Sequence, residues 1–225
     1  MNLGEAMTFV FKSKGQNILQ DFWKEDVIQI LSDVISGSSR LFKGGHSRLK
    51  NVSLKDLPRN LVSSGKEVMH ISRVMPGRMK KALSGLQSDM LNELDLRSDS
   101  KEKALFCLKV FGVLSSSTFT TLPNIPALGK ELSLGKIRVR SAFAKFILAE
   151  LIFRFVSAFL RRFLNEVERE LTEEADLAQL RYFRRVLDGG EAVGIQVNSN
   201  NEDSAFRMAD KFRNTIFNGD DESRN

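Results

Sequence analysis

The sequence predicts an all-α protein, a multi-helix bundle around a long Phe-rich central helix, with at most one short extended segment near the C-terminus. Apolar residues recur at helical spacing along most of the chain. Residues 141–164 hold 17 apolar side chains among 24, six of them Phe, and no Gly or Pro. With 42% apolar residues in 225, the chain can bury a sizeable core.

The predicted central helix carries one polar seam. Its members follow one another at spacings of three or four residues, which places them on one helical face: Glu150, Arg154, Ser157, Arg161, Asn165, Glu168 and Thr172. We expect this helix to begin near Lys136 and to run to Leu187. Its later half has an apolar stripe of its own: Val167, Leu171, Ala175, Ala178 and Tyr182.

So little of residues 141–164 is polar that most of this helix must pack against something. Charged residues interrupt the segment, and they argue against a transmembrane span. A buried core helix is the first interpretation, and contact with lipid or with a protein partner is the second. The candidate apolar interface consists of the six phenylalanines: Phe143, Phe146, Phe153, Phe155, Phe159 and Phe163.

Other helices are predicted before this segment. A short leading helix covers residues 3–12, and a strongly amphipathic one covers 16–36, with Asn17 as its N-cap and Gly37 as its stop. A weaker helix at 61–75 ends at Pro76-Gly77.

Two more helices are predicted at 78–96 and 101–115, the latter begun by Asp99 or Ser100. The uncharged run 110–129 then reads as a helix end followed by a packed connection.

The C-terminal part differs in composition. Residues 188–225 hold four basic and eight acidic residues, so we predict a bundle domain at 1–187 and an acidic C-terminal extension at 188–225. Within the extension we expect a short extended piece, Ala192 to Val197, a helix at 203–217 and a disordered end. The apolar face of that helix consists of Phe206, Ala209, Phe212 and Ile216.

The first half of the chain is basic. Residues 34–81 contain eleven Lys or Arg and two acidic residues, and residues 37–60 have the composition of a loop. A basic patch attracts phosphate groups of lipids or of nucleic acids. The candidate lipid- or polyanion-binding residues are Arg40, Phe42, Lys43, Arg48, Lys50, Lys55 and Arg59.

The chain offers little chemistry for catalysis. It has two His and one Cys, and it contains no glycine-rich phosphate loop and no zinc or nucleophile-elbow motif. Glu67 and His70 have the spacing found in di-iron bundles, but such sites need that pair twice. We therefore expect no catalytic residues, no metal site, no cofactor and no enzymatic activity. Cys107 lies in an apolar run and is expected to be buried; a lone cysteine suits a reducing, cytoplasmic compartment.

Two functions follow from these patterns as expectations. The first is association with an anionic membrane surface or lipid, using the basic loop and the Phe-rich helix, at the periphery of a membrane. The alternative is a helical scaffold, adaptor or homodimer that uses the apolar helix as a protein interface. Nucleic-acid binding ranks third, because only Phe42 lies among the basic residues to stack on a base.

Overall fold

The described residues form an all-α bundle, as the sequence predicts, and a small β-hairpin that was not predicted. The computed structural model describes residues 1–48, 57–121, 132–189 and 204–218, with side chains at 1–37, 64–115, 132–185 and 204–218. The helices are α1 (Leu3–Phe9), α2 (Gly15–Asp21), α3 (Val27–Arg48), α4 (Leu57–Leu96), α5 (Ser100–Thr121), α6 (Ala142–Glu170), α7 (Glu174–Gly189) and α8 (Ser204–Asn218). The predicted extended piece at 192–197 and the predicted disordered end lie outside the described residues.

The first helical segment, residues 3–48, is interrupted twice by π-helical turns, π1 (Val10–Lys14) and π2 (Phe22–Asp26). Each π turn accommodates an extra residue and re-aims the side chains that follow. Phe22 and Val27 are five residues apart, yet both are buried, which the wider turn allows. The predicted N-cap at Asn17 and the predicted stop at Gly37 are therefore wrong, because the helix passes through both residues.

The predicted break at Pro76-Gly77 is also wrong. Helix α4 continues from Leu57 to Leu96 with Pro76 inside it. An interior proline removes one helical hydrogen bond and costs about 3 kcal/mol. Met75 and Met79 are fully buried on either side, and burying one such side chain gains roughly 1.5–3 kcal/mol. Core packing on both sides of Pro76 thus holds the helix together.

Helix α6 is the centre of the bundle. Its inward side meets the first helical segment, α4 and α5. The Phe163 ring contacts Phe11 at a tilt of 40°, with ring centroids 4.2 Å apart, and makes an edge contact with Phe111 at 5.3 Å. Phe22 makes edge contacts with Phe155 and Phe159 further along.

The long helix predicted from Lys136 to Leu187 is two helices. Its first residues instead form the strand β2 (Ile137–Val139), which pairs antiparallel with the preceding strand β1 (Leu132–Leu134). The chain then becomes extended at Leu171, and α7 begins at Glu174. This break rotates α7, so the predicted stripe residues Ala175, Ala178 and Tyr182 face solvent and others turn inward: Leu180 and Phe183.

Helix α8 matches the helix predicted at 203–217. It packs against α4 and α5, and its inward side chains join the hydrophobic core: Ala205, Met208, Ala209, Phe212 and Ile216. The division of the chain into two domains at residue 187 stays a prediction.

Candidate functional site

The seven predicted lipid-binding residues lie around the α3–α4 connection. Four of them fall on the last turns of α3 and one on the first turn of α4: Arg40, Phe42, Lys43, Arg48 and Arg59. Lys50 and Lys55 lie outside the described residues, as do the side chains of all seven. The loop predicted over 37–60 is wrong at both ends, because residues 37–48 belong to α3 and residues 57–60 belong to α4.

The structure separates the six phenylalanines of the predicted apolar interface. Phe155, Phe159 and Phe163 are buried in the core of the bundle. Phe143 and Phe153 are half-buried, whereas Phe146 is 57% exposed. Of these six rings, the most exposed is therefore the one in the first turns of α6.

One end of the bundle combines exposed apolar and basic side chains. The Glu67 carboxylate accepts hydrogen bonds from the main-chain N–H groups of Arg140 and Ser141, at 3.2 and 2.9 Å, and so joins α4 to the start of α6. Met69 is 58% exposed one turn from Lys66, which is also exposed. We call this region, residues 35–48, 57–73 and 136–146, the basic end.

Helix α3 points toward the same end. Lys14 contacts Glu170 and Phe22 contacts Phe155, so the first helical segment runs antiparallel to α6. Its later turns therefore approach the start of α6, where Ile35 is a further exposed apolar residue. The last turns of α3, which carry the predicted basic residues, follow Ile35 in the same direction.

A second feature, missed by the sequence analysis, is a polar cleft between α2 and α6. It encloses about 460 Å³ and is lined by Lys14, Asn17, Ile18, Asp21, Arg162, Asn165, Glu166 and Arg169. A cleft of this size is in the range of small-molecule sites. No local pattern reveals it, because its two walls are about 150 residues apart in the chain, as the separation of 152 between Lys14 and Glu166 shows.

Ion pairs bridge the two walls of the polar cleft at each end. Lys14 Nζ lies 2.7 Å from Glu170 Oε1 and 2.9 Å from Glu166 Oε2, and these hydrogen bonds raise the pKa of Lys14. At the other end Arg162 pairs with Asp26 and Glu25, and the hydrogen bond to Asp26 raises its pKa. Both cations therefore stay charged at every physiological pH.

We next consider the residues of the described ranges that could bind a metal ion or act in catalysis. No group of three or more His, Cys, Asp or Glu residues there could hold a metal ion. His70 is exposed, and the Glu67 carboxylate accepts hydrogen bonds from the main chain just before α6. Burial raises the pKa of the Cys107 thiol, which suppresses its thiolate form.

Within the described residues, no helix has the length and apolarity needed to cross a bilayer. Comparison of the chain with protein-family models, with curated proteins and with solved structures gave no match.

Proposed function

We propose that the protein is a non-enzymatic, cytoplasmic, peripheral membrane protein that binds an anionic membrane surface through the basic end. The observation that carries the proposal is the exposure of Met69, one turn from Lys66, and of Phe146 in the first turns of α6, at the end of the bundle toward which α3 extends. Apolar side chains that enter the lipid interface and bases that face headgroups are the two components of such binding.

The expected energies are adequate for reversible binding. Burying a Met or Phe side chain completely gains roughly 1.5–3 kcal/mol, and Met69 and Phe146 each have just over half of that burial left to gain. Each base close to an anionic surface adds about 1 kcal/mol. The core position of Phe155, Phe159 and Phe163 argues against insertion of the whole Phe-rich helix, so the proposal uses only its first turns.

Co-sedimentation with vesicles tests this proposal. We expect binding to phosphatidylcholine vesicles that contain phosphatidylserine, weaker binding at high salt, and no binding to phosphatidylcholine alone. The double variant Met69→Ser, Phe146→Ser should lose most of the binding. Its matched control is Leu96→Ser, Leu105→Ser, which removes two exposed apolar side chains at the opposite end of the bundle.

Equal loss in both double variants, or equal binding to neutral and anionic vesicles, would contradict the proposal. A charge variant, with Arg40, Lys43 and Arg48 changed to Gln, separates the two components. It should lower binding at low salt and change little at high salt.

A homodimer is the second candidate, and a different observation favours it. Ile28 is 67% exposed and Ile35 is 41% exposed, and their spacing of seven residues places them on one face of α3. Paired copies of this face would bury both side chains. The variant Ile28→Lys, Ile35→Lys should then shift the mass measured by analytical ultracentrifugation from dimer to monomer. A wild-type protein that stays monomeric at high micromolar concentration would remove this candidate.

A further inference from the structure

Asn17 and Asp21 form one wall of the polar cleft. They lie one turn apart on α2, both are exposed, and their side chains make no hydrogen bond or ion pair with the described part of the chain. A carboxylate and an amide in this arrangement accept hydrogen bonds, and the carboxylate attracts a cation. This wall therefore suits an ammonium group.

The opposite wall supplies donors. Arg162, Asn165 and Arg169 lie on one side of α6. Asn165 Oδ1 accepts a hydrogen bond of 2.8 Å from Arg184, which leaves the Asn165 amide N–H groups for another partner. Arg169 pairs with Glu166 through one terminal nitrogen, Nη1. Because a guanidinium has five N–H groups, Arg169 keeps donors for an anion.

The cleft is built to remain open. The ion pairs of Lys14 in π1 and of Asp26 in π2 join the first helical segment to α6 on either side of α2, twelve residues apart, roughly 18 Å at 1.5 Å per residue. Between them the floor is the buried side chain of Ile18. The π turns π1 and π2 flank α2 directly, and such turns re-aim side chains at binding sites.

We propose that the polar cleft binds a small zwitterion, with its ammonium group against Asp21 and Asn17 and its phosphate or carboxylate group against Arg169, Arg162 and Asn165. The ligand spans the cleft from one wall to the other, so both charges are needed on one molecule. A free metabolite of this kind and the headgroup of a zwitterionic lipid have the same chemistry. The proposal is independent of membrane binding at the basic end.

Isothermal titration calorimetry on the full chain tests the proposal with O-phosphoethanolamine. Inorganic phosphate and ethylammonium are the two single-charge probes, and β-alanine carries a carboxylate in place of the phosphate. We expect O-phosphoethanolamine or β-alanine to bind at least about tenfold more tightly than either single-charge probe, since each charged wall contributes its own hydrogen bonds.

Substitutions in each wall test which charged group of the ligand that wall binds. Asp21→Asn should weaken zwitterion binding at least about tenfold and leave any phosphate binding unchanged, and Arg169→Gln should weaken both. Asp33→Asn and Arg185→Gln, exposed positions away from the cleft, are the matched controls and should bind as the wild type does. Circular dichroism verifies that each variant is folded.

Three results would overturn the proposal: no binding of either zwitterion at millimolar concentration, phosphate binding as tightly as O-phosphoethanolamine, or an Asp21→Asn variant that binds like the wild type. Competition by phosphatidylethanolamine vesicles identifies a lipid headgroup as the source of the ligand. Binding of O-phosphoethanolamine without such competition identifies a free metabolite, and either result supports the proposed site.

Discussion

The guanidinium of Arg78 in α4 donates a 2.7 Å hydrogen bond to the main-chain carbonyl of Ile216, in the last turn of α8. The next carbonyl, that of Phe217, accepts a 2.8 Å hydrogen bond from the N–H of Gly135 in the β-hairpin. The final carbonyls of a helix lack partners within the helix. Here α4 and the hairpin supply those partners, so they fix the position of α8 in the bundle.

Replacement of Arg78 by Met should loosen α8. The change removes a buried donor and leaves the Ile216 carbonyl without its partner, at a cost of about 1–3 kcal/mol. The free energy of unfolding from urea titration measures this loss, and hydrogen exchange should accelerate first in α8. The control is Arg73→Met, an exposed arginine on the same helix, for which we expect little change. Equal stability of the two variants would contradict this account.

Among the six phenylalanines of the predicted interface, replacement of Phe163 by Ala should lower the free energy of unfolding the most. It contacts both Phe11 and Phe111, and a Phe→Ala change in a core costs about 3–5 kcal/mol. The exposed Phe146 provides the control, because Phe146→Ala should change stability by less than about 0.5 kcal/mol. Urea unfolding of both variants measures the difference. A large loss of stability in Phe146→Ala and a small loss in Phe163→Ala would contradict the assignment of Phe163 to the core and Phe146 to the surface.

Gly4 should not tolerate a side chain. A Cβ atom there would lie 1.9 Å from the main-chain oxygen of Ser100, so α1 and α5 would have to separate. We expect Gly4→Ala to lower the free energy of unfolding by about 1–3 kcal/mol, as overpacking does. Gly85→Ala is the matched control, since Gly85 lies in the middle of α4 and no atom lies within 4 Å of a Cβ placed there. That variant should instead gain about 0.4–1 kcal/mol.

Cys107 should resist thiol reagents in the native protein. Its side chain is buried among core residues, and burial raises its pKa, so little reactive thiolate forms at neutral pH. Iodoacetamide followed by mass spectrometry should detect modification in concentrated urea and almost none in buffer. Rapid labelling in buffer would mean that α5 opens readily or that the thiol is exposed.

The helices were largely predictable because most of them have an amphipathic pattern of their own. The predictions failed where distant contacts decide the local structure. The apolar spacing continues from Val167 through Leu171, yet the helix ends there. The N-terminal ammonium lies 2.9 Å from the Thr172 hydroxyl, and the Leu3 N–H donates to Asp176 at 3.1 Å. These partners come from the other end of the chain, so a local pattern could not reveal them.

The hairpin, by contrast, has a signal that the sequence analysis overlooked. Apolar and polar residues alternate in Leu132–Leu134 and again in Ile137–Val139, with two residues between them. Gly135, the first of those two, has a φ of 61°, which glycine adopts without strain. The polar cleft had no such signal, because it exists only once α2 and α6 have packed together.

The bond between Leu3 and Asp176 joins residues 173 positions apart. A ribosome therefore releases the first helical segment long before its partners in α6 and α7 are made. Phe11 and Phe22 gain their final aromatic neighbours, Phe163 and Phe155, equally late. In the nascent chain, α1 can pack on α5 as soon as α5 is made, but the contacts of the first helical segment with α6 and α7 form only near the end of synthesis.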